Sequence, residues 1–143
     1  MDIERSALVA FPARDMYRLV KDVRSYPAFL KWCRDSEVIE ESEGHQLARL
    51  TVAVSGIEQS FTTRNRLTPD RQLSMSLAEG PFRQLSGDWL FTPLGDDGSK
   101  VTLRLSFEFS SGLLSSAFRR GFAHIADHMV AEFCQRAEVV YGR

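Results

Sequence analysis

The chain changes its hydrophobic period twice. Residues 3–9 (IERSALV) alternate loosely and stop at Phe11-Pro12, predicting a short strand and then a helix start. A proline in the first helical turn loses no hydrogen bond. Met16, Leu19, Val20 and Val23 then fall at helical spacing, with Arg14, Arg18 and Lys21 opposite. Tyr26-Pro27 is expected to break this helix, and a second short helix is expected over Ala28 to Trp32. The period then becomes 2 in the runs 48–54, 57–67, 73–77, 85–91 and 101–109. Ser55-Gly56, Thr68-Pro69-Asp70, Gly80-Pro81 and Gly95-Asp96-Asp97-Gly98 punctuate the runs, which reads as an antiparallel meander with one wet face. After Ser110-Ser111-Gly112 the helical period returns. Leu114, Phe118, Phe122, Ile125, Met129, Phe133, Ala137 and Val140 form one stripe of roughly 28 residues, about 42 Å of helix. Gly142 stands where a C-terminal cap belongs.

A long amphipathic helix facing the apolar side of six or seven antiparallel strands is a two-layer α+β arrangement. Twist makes such a sheet curl, so sheet and helix enclose a volume. Large inward residues dominate that volume. Phe61, Met75, Leu77, Phe82, Trp89, Phe91 and Phe107 come from the strands, and Phe118, Phe122, Ile125, Met129 and Phe133 from the helix. Leu50 and Val52 add smaller walls, and Phe29 stands at the mouth. Gln59, Thr63 and Asn65 share the inward parity. Three polar groups suit a lined pocket with orienting donors better than a dry core. Ala48→Phe or Gly87→Leu is expected to fill its wall.

A length of 143 residues fits one domain, here 1–143, and its 43% hydrophobic content excludes disorder. Eighteen basic against nineteen acidic residues argue against a dedicated nucleic-acid binder, and no DNA partner is expected. Cys33 and Cys134 are too few for a disulfide framework. Asp2, Glu4 and Arg5 precede the first apolar run, unlike a signal peptide, and no stretch reaches membrane-span length. The reading is a cytoplasmic protein whose membrane contact, if any, is peripheral to the inner membrane.

The chemistry of catalysis is thin. His124 and His128 lie four apart on the long helix, with His128 expected beside the inward stripe, but two ligands do not make a metal site. Glu79 shares the parity of Met75 and Leu77 and is the one acid expected to face inward. No catalytic residue, metal or required cofactor is assigned. Arg64 and Arg66 share an outward strand face and Arg119-Arg120 begin a basic spot on the last helix, which are candidate phosphate contacts.

Five blocks in order, LVKDVRSYPAFLKWC (19–33), FTTRN (61–65), GPFRQLSGDWLF (80–91), FEFSSGLL (107–114) and EFCQRAEVVYG (132–142), resemble the START-like, helix-grip family labelled polyketide cyclase/dehydrase. They are most similar to its coenzyme Q-binding branch, which includes bacterial ribosome-association toxins. Lys31 departs from the proline of that pattern. The resemblance implies first a helix-grip fold around a tunnel for a hydrophobic small molecule, with ubiquinone or a related polyprenyl lipid bound and not transformed, in support of respiration. Its alternative implication is a toxin that contacts the large ribosomal subunit and inhibits translation initiation, for which Arg64, Arg66, Arg119 and Arg120 are the candidate contacts. A cyclase or dehydrase acting in the same tunnel is a third implication. On this reading Thr63, Asn65 and Gln59 would meet a quinone head, and Phe29, Lys31 and Trp32 a bilayer surface.

Overall fold

The computed structural model describes residues 1–110 and 114–142. In chain order the elements are β1 (Asp2–Val9), α1 (Ala13–Lys21), a 3-10 helix (Val23–Ala28), β2 (Cys33–Ser42), β3 (His45–Val54), β4 (Ile57–Thr68), β5 (Gln72–Glu79), β6 (Phe82–Leu94), β7 (Gly98–Phe109) and α2 (Ser116–Tyr141). The strands form one seven-stranded antiparallel sheet in the order β1-β7-β6-β5-β4-β3-β2. The helices between β1 and β2 carry the chain to the far edge, the meander β2–β7 returns β7 beside β1, and α2 then packs on one face. This is the two-layer α+β arrangement that the alternation implied, with the long helix on a curved sheet as the family resemblance implied. Ser111 and Gly112 of the expected turn before α2 lie outside the described residues.

Local chemistry explains the boundaries. Ser55 and Gly56 both take positive φ, 51° and 78°, giving the tight β3–β4 hairpin the twist of its strands. Ser115 caps α2 by accepting the Phe118 N–H at 3.1 Å. Leu114 therefore lies outside the helix, although it still packs on the core.

Three expectations need correction. The helix expected over Ala28 to Trp32 is instead the 3-10 helix Val23–Ala28, with Pro27 inside it, because a 3-10 turn has few N–H bonds for a proline to remove. β2 lacks a readable period: its edge position leaves most side chains of CRDSEVIEES exposed, and two register shifts scramble the alternation. Val140 is 46% exposed and not part of the buried stripe. Beyond Ala137 the helix overhangs α1, and Tyr141 takes the inward position by donating to the Asp15 carbonyl at 3.1 Å.

The two layers meet through rings. Phe133 of α2 has centroids 5.3 Å from Tyr26, 5.4 Å from Phe29 and 5.3 Å from Trp89. One end of the helix closes more tightly still, since a Cβ on Gly121 would run into Val54 at the hairpin tip. Gly87 has a comparable constraint: a Cβ there would sit 2.7 Å from the Arg104 carbonyl oxygen and 2.9 Å from Leu105 Cδ1. Gly87→Leu would therefore break the sheet and is not a cavity-filling variant. Phe133→Ala should cost about 3–5 kcal/mol in urea unfolding, while Val139→Ala, at a 72% exposed position, should leave the midpoint unchanged.

Candidate functional site

Burial divides the inner face in two. Inward residues of β6 and β7, including Phe82, Trp89, Phe91 and Phe107, are sealed beneath α2 and α1. Inward residues of β3, β4 and β5 are covered less completely. Leu50, Val54, Ile57, Phe61, Met75 and Leu77, with Met129 of α2 opposite, pack on the core yet keep solvent contact. This partly covered apolar strip of β3–β5, with Met129 across from it, is the candidate site, and a trough is the shape it would take as a ligand site.

An aromatic cluster fills one end of the trough. Phe122 lies 6.0 Å from Phe61, 5.1 Å from Phe82, 5.1 Å from Phe107 and 5.7 Å from Phe109 by ring centroid. Phe118 stacks on Phe122 at 6.3 Å. At the other end Phe29 closes against Phe133 and Tyr26, and the Arg136 guanidinium lies 5.0 Å over its ring. The walls between are Val52, Ile125 and the half-buried Gln59, which pairs in register with Val52.

The polar inward residues form a relay. The Thr63 hydroxyl donates to Asn65 Oδ1 at 2.8 Å, and Asn65 Nδ2 donates to Gln46 Oε1 at 2.9 Å. Gln46 Nε2 then donates to the Lys21 carbonyl at 3.1 Å, which caps the end of α1. Thr63, Asn65 and Gln46 are 6%, 4% and 3% exposed, so each bond is shielded from water. These donors anchor α1 to the sheet as they stand. Gln46 escapes the sequence reading because it lies just before the 48–54 run, although it continues that run's inward parity.

Several expected site groups sit elsewhere. Glu79 is exposed, because β5 holds an extra residue where Thr62 pairs with Glu79 but Thr63 with Leu77, and the bulge turns Glu79 outward. His124 and His128 are both exposed on α2, their rings 4.1 Å apart, so His128 does not join the inward stripe. Burial pushes the Cys33 thiol up to about 11, and burial also raises Cys134, so neither is an activated nucleophile. Burial likewise holds the Tyr26 phenol protonated, with its hydroxyl on the Val20 carbonyl.

The arginines differ in their commitments. Arg34, Arg49, Arg83 and Arg104 each pair with a carboxylate, at 3.8, 3.9, 3.5 and 3.4 Å. Arg64 and Arg66 are exposed on β4 without such a partner among the described residues. Arg120 is exposed as well. Arg119 is half-buried: it donates to the Ser110 and Leu114 carbonyls, both at 3.3 Å, and lies 5.5 Å over the Phe109 ring. That guanidinium ties the start of α2 to the end of β7.

The sequence profile described as "Polyketide cyclase / dehydrase and lipid transport" matches residues 9–134. A Vibrio cholerae protein named ribosome association toxin RatA is 49% identical over 140 residues, spanning 98% of this chain and 97% of that protein. The Xenopus laevis coenzyme Q-binding protein COQ10 homolog B, mitochondrial, is 30% identical over 148 residues, spanning 100% of this chain and 60% of that protein. Among solved structures, the ZhuI aromatase/cyclase from Streptomyces sp. R1128 superposes with a TM-score of 0.85 at 21% identity, over 99% of this chain and 96% of that one.

Asn65→Ala should destabilise the protein by about 1–3 kcal/mol, since it strands the Gln46 amide in the core. Chemical denaturation checks this. Iodoacetamide at pH 8 should label Cys33 far more slowly in the native protein than in urea, as its buried and raised thiol requires.

Proposed function

The chain belongs to the polyketide cyclase/dehydrase and lipid transport family, and on that premise we propose that it associates with the ribosome, on the large subunit, and inhibits translation initiation. The observation that carries this reading is 49% identity, across nearly the whole of both chains, to a protein named ribosome association toxin. Arg64 and Arg66 support it too: exposed guanidinium groups that hold no carboxylate are free for phosphate.

A second reading, lipid binding with ubiquinone as ligand, has its own support. The half-covered apolar trough offers a polyprenyl tail about 0.8 kcal/mol for each CH2 it buries. The similarity to a coenzyme Q-binding protein agrees in kind. The donors expected for a quinone head, Thr63 and Asn65, already bond within the relay, so a head group would draw on Gln59 or displace the relay. Opening the trough to a tail means parting Phe61 and Phe82 from Phe122. Both readings can hold in one molecule, with the lipid inside and the ribosome outside. Phe29, Lys31 and Trp32 remain the proposed meeting point with a bilayer.

Sucrose-gradient sedimentation tests the first reading. The protein should travel with large subunits and lower the fraction of joined ribosomes. Remaining at the top of a low-salt gradient would overturn it. Arg64→Glu with Arg66→Glu should weaken co-sedimentation and flatten its salt dependence. Organic extraction and mass spectrometry of protein from ubiquinone-producing cells tests the second: a stoichiometric quinone is expected, and its absence after reconstitution with excess quinone would overturn it.

A further inference from the structure

Charge is unevenly distributed along this chain. Residues 12–32 carry Arg14, Arg18, Lys21, Arg24 and Lys31 against Asp15 and Asp22, a local charge of +3 in a chain of net charge −1. Arg14, Arg18 and Lys21 recur at helical spacing along one face of α1. The single ion pair among these groups in the described residues is a loose Arg18–Asp15 contact of 4.0 Å. The basic stripe is therefore uncommitted.

Beside the stripe lies a slot of about 400 Å³ between α1, the 3-10 helix and the last turns of α2. Leu19, Phe29, Val140 and Tyr141 provide its apolar side, and Arg18 and Arg136 its charged side. The Arg136 guanidinium already lies over the Phe29 ring at 5.0 Å, which puts a planar cation on an aromatic base at this slot. Asp22 and Ser25 also line it, the Ser25 hydroxyl donating to Asp22 Oδ2 at 2.5 Å. A planar cation over an aromatic ring and a row of cations engaged by only one loose ion pair suit an unpaired nucleobase with its flanking phosphates.

We infer that this slot takes an unpaired RNA nucleotide, the base on the Arg136–Phe29 pair and the neighbouring phosphates on Arg14, Arg18 and Lys21. The choice of RNA as partner rests on the ribosome reading; the site does not coincide with the arginines named there. Arg119 and Arg120 stand near the opposite end of α2, so this is a separate contact surface.

Fluorescence anisotropy with a fluorescein-labelled dodecauridine measures the contact directly. Arg14→Gln, Arg18→Gln and Lys21→Gln together should reduce the log–log salt slope by about 2, at ~0.7 per single-strand phosphate contact. Arg136→Lys keeps the charge and loses the plane; it should cost roughly tenfold in affinity without changing the slope. Wild-type affinity and slope in the triple variant would overturn the inference. So would failure to bind the RNA alongside binding to phosphatidylglycerol vesicles that the same variants weaken. Sedimentation separates the two claims. If the triple variant travels with ribosomes as the wild type does, this surface is wrong and the ribosome reading stands. If the wild type binds the oligonucleotide through the slot but never travels with ribosomes, the ribosome reading is wrong and the slot stands.

Discussion

One helix has to cover most of one face of a seven-stranded sheet, and it does so because rings meet rings. Phe122 and Phe133 project from α2 three turns apart and each joins its own aromatic group on the layer below. Phenylalanine brings large area and few rotatable bonds, so each contact excludes much water while losing little side-chain entropy. The remaining elements follow from that pairing. The β3–β4 hairpin reaches α2 where Gly121 offers no side chain, and the 3-10 helix delivers Tyr26 and Phe29 onto Phe133. Where α2 does not reach far enough, over β3–β5, the apolar face stays partly wet.

The same geometry separates the roles of the polar groups. Inside, the Thr63–Asn65–Gln46 relay ends on the Lys21 carbonyl and so fixes α1 to the sheet. On the other side of α1, Arg14, Arg18 and Lys21 face solvent. A helix pinned by its own terminal carbonyl presents a basic stripe in a fixed orientation, and pre-organisation of that sort reduces the entropy lost on binding a polyanion. The interior and the surface are thereby linked through one short helix. Displacing the relay would loosen the element that carries the charges.

Alternation made β3 to β7 legible because each of those strands has one buried and one solvated face. β2 was hidden by the lack of that contrast: at the edge, few of its side chains are buried and its register shifts twice. Parity also placed the trough residues from Leu50 to Met129, but it failed at Glu79, since one added residue in β5 reverses every face beyond it. Pro27 does not end the short helix because a 3-10 turn, tighter than an α-helix and with few internal bonds, loses little when one N–H is missing. The relay was half visible. Asn65 and Thr63 stood out as polar groups of inward parity, while Gln46 lies 19 residues from Asn65 and 25 from the Lys21 carbonyl it meets, separations no local pattern reports.

β2 leaves one edge of the sheet unpaired, and its composition says how two copies of this protein would meet there. Four acids, Asp35, Glu37, Glu40 and Glu41, stand against the single base Arg34 within the strand. Two such edges brought together would set like charges within a few ångströms of each other before any backbone bond formed. The edge thus acts as a fence against end-to-end stacking of sheets into fibres. High salt would lower that fence, so the solubility of this fold carries an ionic-strength dependence written into one edge strand.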